Sequence, residues 1–440
     1  MKLVISIVLL ITLQVTSYSQ TNLLWNSKKN KIKIPFEFIQ NLIIIDVNFN
    51  GIPLKMILDT GSDDTILFDL PQDTLLSNLD EKDKISIKGV GNGNVVSGYR
   101  LKNNLLSVNE YADSNFDVLF LPDQDISIIN KLGLPINGII GSRFFESYLV
   151  EIDYEHKLVI LHREELKAND SRLKRFNTLQ VSLIKKKPYV KIPITLNDES
   201  QIFNVLFDSG LGDGLWLFEN DTLKCNTDFF NDFLGVGLSG EINGKRSRID
   251  KIDFSGFALK KALVSYPDTT AFNQILINNG RNGSIGGDVL KRFNWFLDYK
   301  NKKFYFKKNN LFSLTFEYNM SGIEIQHAGL QLINQIVRVQ PPKRTANQNE
   351  IIFDDDLKFT QKFELKPIFS IHAIRKDSPA EKAGLQVGDK ILKINNKQAH
   401  QLTMQWIMDL FQSKDGKWIS ILVERNGEQI KYKFQLKKIL

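Results

Sequence analysis

Two stretches decide the fold: Leu54-Lys55-Met56-Ile57-Leu58-Asp59-Thr60-Gly61-Ser62, and Phe203-Asn204-Val205-Leu206-Phe207-Asp208-Ser209-Gly210. Each is an apolar strand running into an aspartate, a hydroxyl residue and a glycine. One such triplet reads as a turn, and at average residue usage about 0.2 are expected by chance in a chain this long. Two in matching surroundings point to an internal duplication. The first is preceded by Asp46-Val47-Asn48-Phe49-Asn50-Gly51 and the second by Val190-Lys191-Ile192-Pro193-Ile194. Downstream, Gly89-Val90-Gly91 is answered by Gly235-Val236-Gly237, and Val118 to Asp123 by Val264 to Asp268. Gly138-Ile139-Ile140-Gly141 is answered by Gly283-Ser284-Ile285-Gly286, and each leads into a pair of strands.

Alternating apolar and β-branched residues, interrupted by Gly, Asn and Asp, mark both copies as mostly β. The expectation is two strand-rich lobes, residues 24–165 and 175–308, with short helices at Ser142 to Glu146 and Asp288 to Phe293.

The paired aspartates suggest a chemistry. Hydrolysing an amide without metal or thiol needs one group to take a proton from water and another to give one to the carbonyl. Two adjacent carboxyls do both, because they cannot both ionise and so share one proton. A glycine at the third position admits backbone amides to the carboxylates, and the Thr60 and Ser209 hydroxyls can orient them. The duplicated motif with its later hydrophobic-hydrophobic-Gly resembles the pepsin and retropepsin superfamily of aspartic proteases, over roughly residues 30 to 307. The resemblance implies a two-lobed acid-protease fold in which Asp59 and Asp208 are the catalytic dyad of an aspartic-type endopeptidase. Thr60, Gly61, Ser62, Ser209 and Gly210 would support the dyad, and a flap would form around Gly89, Val90 and Gly91, within a hairpin reaching Gly98. One departure stands out: Leu211 occupies the place where Ser62 follows the first motif, which implies that half of an inter-lobe hydroxyl network is missing. No flap tyrosine stands at the expected place, Tyr99 being a weak candidate. A catalytically silent peptide-binding protein with a protease-like cleft is the competing reading.

Past Lys308 the pattern changes. Ser378-Pro379-Ala380 to Ala383-Gly384-Leu385 reads as a capped helical turn, Gln401 to Phe411 has helical periodicity, and Asn426-Gly427 joins two strands. This part, residues 313–440, resembles a small α+β PDZ domain of the kind attached to bacterial proteases. The resemblance implies a carboxylate-binding turn at Met320-Ser321-Gly322-Ile323, a peptide-binding strand from Ile323 to Ala328 that includes Ile325, and a possible C-terminal peptide ligand. An inserted loop is expected around 340–362.

The 440 residues bear 57 basic and 50 acidic side chains, a net charge of +7, and the charges are scattered. Nucleic-acid binding is not expected. The single cysteine, Cys225, excludes an intramolecular disulfide and a thiolate metal cage, and the five histidines show no metal spacing. Neither cofactor nor metal is expected. Lys2 followed by the apolar run from Leu3 to Leu13 reads as a signal peptide, residues 1–19, cleaved near Ser19 or Gln20. That run is short of the ~20 residues a membrane span needs. The expectation is an exported, periplasmic or secreted, bacterial protein, monomeric and acting on a peptide or protein substrate.

Overall fold

The computed structural model describes residues 23–25, 27–68, 83–87, 89–91, 95–122, 136–167, 170–272, 280–339, 342–344, 351–353 and 358–440. The expected signal peptide lies outside them. Among the described residues no helix is long and apolar enough to cross a membrane.

The duplication is visible in the strand pairings. In the first lobe, Ile52–Leu58 runs antiparallel to Leu42–Phe49 and parallel to Gly138–Ile140, which pairs Thr65–Leu67. Thr65–Leu67 then runs parallel to Tyr111–Phe120. In the second lobe, Glu199–Phe207 takes the same place between Lys187–Leu196 and Gly283–Ile285. Leu215–Leu217 joins Gly283–Ile285 to Leu263–Pro267. Met56 opposite Gly138 therefore matches Val205 opposite Gly283. Both motif strands end in residues buried among hydrophobic neighbours, Leu58 and Phe207, so the chain turns at the aspartate where apolar burial stops.

After each hydrophobic-Gly signal a single helical turn sets off the next strand. The first, Arg143–Glu146, falls within the expected helix, whereas the second is Gly287–Leu290 and stops short of Phe293, which opens a strand. These strands build a seam between the lobes. Lys31–Pro35, Leu158–His162 and Leu149–Asp153 of the first lobe continue into Phe293–Asp298, Lys303–Lys308 and Asn177–Ile184 of the second. The joint is the antiparallel contact of Ile152 with Trp295 and of Val150 with Leu297. Above it Phe207 meets Trp295 and Phe304 at centroid distances of 4.8 and 5.1 Å. Each fully buried aromatic contributes on the order of 2 kcal/mol by removal from water, which firms the second lobe's side of the seam, while Phe145 of the first lobe stacks on Tyr299 of the second at 5.5 Å.

The C-terminal part is a sheet ordered Ile323–Val339, Lys358–Ile374, Lys390–Ile394, Trp418–Arg425 and Glu428–Gln435, with the helix Met404–Phe411. Ser378 accepts a hydrogen bond from the Glu381 amide at 3.2 Å, Pro379 opens the helical turn, and Gly384 closes it with φ of +97°. Asn426 and Gly427, at φ of +53° and +84°, make the tight turn of the last hairpin. The expected loop around 340–362 needs correction. Ile323–Val339 and Lys358–Ile374 pair as far as Val339 with Lys358, so residues 358–362 are strand, and Pro342–Arg344 pairs Ile351–Phe353. Alternation along Leu330-Gln331-Leu332-Ile333 opposite Glu364-Leu365-Lys366 supplies the period of two that keeps the ladder in register.

Candidate active site

Asp59 and Asp208 meet at the seam. Each motif glycine lies against the other lobe's carboxylate: a Cβ on Gly61 would stand 2.5 Å from Asp208 Oδ1, and one on Gly210 would stand 2.3 Å from the Asp59 Cγ. Any side chain at either position would push the carboxyls apart. The Gly61 amide donates to Asp59 Oδ1 at 2.7 Å.

The second motif positions interlock. The Thr60 amide donates to Ser209 Oγ and the Ser209 amide to Thr60 Oγ1, both at 3.0 Å. The Thr60 hydroxyl donates to the Phe207 carbonyl at 2.6 Å and the Ser209 hydroxyl to the Leu58 carbonyl at 2.7 Å. Two sequence-based expectations are corrected here. These hydroxyls tie each lobe to the other's strand and do not orient the carboxylates. The inter-lobe network is also complete, because it uses the second motif residue and not the fourth. Ser62 bonds locally to the Asp64 carbonyl at 2.7 Å, so Leu211 removes nothing from the network.

Burial raises the pKa of both carboxyls. Asp208 raises Asp59 further, while the Arg281 guanidinium and the hydrogen bond received from Asp59 pull Asp208 back. Two buried carboxyls, both raised, share one proton between them. Such a pair has an acid and a base on opposite sides of one site.

The pair opens on a cavity of about 830 Å³, within the usual range for ligand sites. Its roof comes from both lobes. Gly89, Val90 and Gly91 meet the tip of the hairpin Phe229–Gly237 and Gly240–Arg248. The Gly89 amide donates to Ser239 Oγ at 2.8 Å and the Ser239 amide to the Val90 carbonyl at 3.1 Å. The Gly91 amide donates to the Ala271 carbonyl at 3.0 Å. Residues 88 and 92–94 lie outside the described residues. The repeated Gly-Val-Gly was the signal for this second flap, though only the first copy was assigned as one. Each flap's returning strand also sends an arginine to the loop after its motif: Arg100 pairs Asp64 at 3.4 Å and Arg246 pairs Asp213 at 3.1 Å. Tyr99 is half-buried beside Arg100, in register with Lys84 and Phe120.

The C-terminal part closes one end of the cavity with Ile325, Gln405, Met408 and their neighbours. The Gln40 amide donates to Gln405 Oε1 at 3.0 Å. Arg375 pairs Asp232 at 3.4 Å and His372 pairs Glu241 at 2.8 Å, both partners lying on the second flap. The expected carboxylate-binding turn is buried, and its amides are used internally. Asn319 Oδ1 accepts from the Ser321 and Gly322 amides at 3.0 and 3.3 Å, and Ser321 Oγ accepts from Ile323 at 3.1 Å. Ile323 and Ile325 are core residues. Cys225 lies apart from the cavity's lining, and burial pushes its thiol up to about 11, away from nucleophilic use.

Residues 45–144 match the family model described as aspartyl protease, and residues 370–425 match the PDZ domain. The Regulator of sigma E protease of Haemophilus influenzae is 52% identical over 52 residues, 12% of this chain and 11% of that protein, so the chain spans about a tenth of its length. An aspartic proteinase from Irpex lacteus overlays 65% of this chain and 99% of its own, at 11% identity and a TM-score of 0.41. Within a mostly β, two-lobed architecture, the chain carries an aspartyl protease domain match in its first lobe and a PDZ domain near its C-terminus.

Proposed function

We propose that the protein is an exported aspartic-type endopeptidase, with Asp59 and Asp208 activating a water for attack on a peptide bond. The observation that carries this reading is the hydrogen-bonded carboxyl pair, held by a symmetric cross-lobe network, at the floor of a roofed cavity. Asp208, ionised, accepts a proton from the water as its oxygen adds to the carbonyl carbon. Asp59, protonated, donates to the carbonyl oxygen. The tetrahedral intermediate breaks its C–N bond when the amine receives the proton held on Asp208, and the new acid returns its proton to Asp59 as the carbonyl re-forms. One proton thus circulates through the pair. The two flaps hold an extended peptide over the pair and exclude bulk water.

Export rests on the N-terminal apolar run, and the peptide affinity of PDZ domains supports a second contact with substrate beyond the dyad. The test is cleavage of a peptide library by the purified mature chain, from acidic to neutral pH, with Asp59→Asn and Asp208→Asn as controls. Either substitution should lower kcat/KM by about 10³-fold or more with the fold intact; turnover surviving both would end the proposal. The silent-binder reading rested on Leu211, and the complete hydroxyl network leaves it without a favouring observation. N-terminal sequencing of the protein recovered from the host's extracytoplasmic fraction tests export, and a retained Met1 would refute cleavage.

A further inference from the structure

The two halves of the cavity come from corresponding strands but carry different chemistry. The register fixes the correspondence. Ile57 pairs Ile44 in the first lobe as Leu206 pairs Tyr189 in the second. Asn137 accepts from the Lys55 amide at 2.9 Å as Asn282 accepts from the Asn204 amide at 2.8 Å. Hence Ile139 answers to Ser284, and Ile136, one residue before its asparagine, answers to Arg281. Two residues before Ile44 and Tyr189 stand Leu42 and Lys187. The first lobe's half is a continuous aliphatic cluster around Leu42, Ile57, Ile66 and Ile139. The second lobe places cations and a hydroxyl at three of the matching positions.

Arg281 is the singular one. It lines the cavity with 7% of its surface exposed. Its Nε donates to the Gly283 carbonyl at 2.9 Å and its Nη2 to the Ser284 hydroxyl, which aims the guanidinium. Three other cations line the same cavity and each holds a carboxylate: Lys187 holds Asp63 at 3.3 Å, Arg246 holds Asp213 at 3.1 Å, and Lys291 holds Asp288 at 2.7 Å. Among the described residues no carboxylate forms an ion pair with Arg281, and the charge that acts on it most is the more distant Asp208 of the dyad. A guanidinium has five N–H donors in a fork suited to a carboxylate, and a buried cation is costly without one.

We propose that the second lobe's half of the cavity is an acid-selecting subsite, in which Arg281 receives a substrate Asp or Glu side chain next to the scissile bond while an aliphatic side chain fills the first lobe's half. This rests on the endopeptidase reading. It is tested with peptides identical except at the two residues flanking the bond, each bearing Glu, Gln, Leu or Lys, and with non-cleavable reduced-amide versions of the same peptides.

In the wild-type protein, Glu on one side and Leu on the other should be preferred over the Gln counterpart by about 10-fold or more, the worth of a charge-assisted hydrogen bond. Arg281→Met should erase or invert that ratio in favour of Leu, and Arg281→Lys should keep part of it. No Glu preference in the wild type overturns the proposal, whether or not a variant folds. A drop of equal size for Glu, Gln and Leu peptides in Arg281→Met also overturns it, and assigns Arg281 to the dyad alone. Calorimetric binding of the reduced-amide peptides separates the two claims. A chain that cleaves nothing but binds the Glu analogue more tightly loses the endopeptidase reading and keeps the subsite, whereas cleavage without selectivity does the reverse.

Discussion

The first lobe and the second lobe agree in backbone and differ in side chains, and the division follows the distance to the aspartates. The frame that holds the dyad is doubled: the motif glycine against the opposite carboxylate, the hydroxyl at the second position, the arginine reaching from the flap to the loop after the motif. One layer farther out the copies part, with Ile136 and Ile139 in one lobe where Arg281 and Ser284 stand in the other. The two copies keep the frame around the carboxyls and differ in the walls of the cavity.

That comparison can be broken most directly at the interlock. Ser209→Ala deprives the buried Thr60 amide of its acceptor and the Leu58 carbonyl of a donor, and Thr60→Val does the same to Ser209 and Phe207. If the network is as symmetric as its distances, each substitution should destabilise the protein by about 1–3 kcal/mol. Thermal or urea unfolding checks it, and unequal losses would mean that one lobe leans on the other. A smaller effect is expected at the roof. Ser239→Ala removes the acceptor of the Gly89 amide, so the flaps should part more easily and KM should rise severalfold, with kcat changed less.

The third prediction concerns the second flap, which alone among the two is held by the PDZ domain through Arg375 and His372. Beside this contact Glu324 is pushed up to about 8, by burial first and then by Asp232. Its folded-state pKa lies above its ordinary value of 4.5, so its contribution to stability is present below the ordinary carboxylate range and is lost as pH rises through about 8. Protection of Ile323–Val339 from hydrogen exchange, corrected for the intrinsic rate, should fall as pH rises from about 4.5 to about 8 in the wild type, and Glu324→Gln should remove that dependence. The smallest effect is expected far from the lobes: Ser378→Ala should cost about 1 kcal/mol, read from the midpoint of thermal unfolding, through the lost helix cap.

The repeat, both aspartates and the strand-rich lobes were legible because they recur, and recurrence within one chain is evidence that needs no relatives. The helical turn at Ser378 and the hairpin at Asn426-Gly427 were legible because local chemistry dictates them. What occurs once and acts at a distance was not. Nothing near Arg281 in the chain marks it, since its neighbour in function lies across a strand pairing. The Asx-turn by which Asn319 satisfies the amides of Ser321 and Gly322 is local and was available from the Asn-x-Ser-Gly spacing, but it went unread. The fault at Leu211 was of another kind: the hydroxyls were read one pair of positions too late in the motif.

The seam between the lobes also sets when the dyad can exist. Leu149–Asp153 waits for Phe293–Asp298 to be made before its free edge is covered, and Asp59 waits for a partner synthesised 149 residues after it. At roughly 5–20 residues per second, a growing chain spends tens of seconds with one carboxyl and no second. Throughout synthesis, and through any passage in which the seam stays unzipped, the two halves are separate and neither holds a complete pair. Sheet closure thereby acts as a timer on assembly, built from ordinary backbone hydrogen bonds.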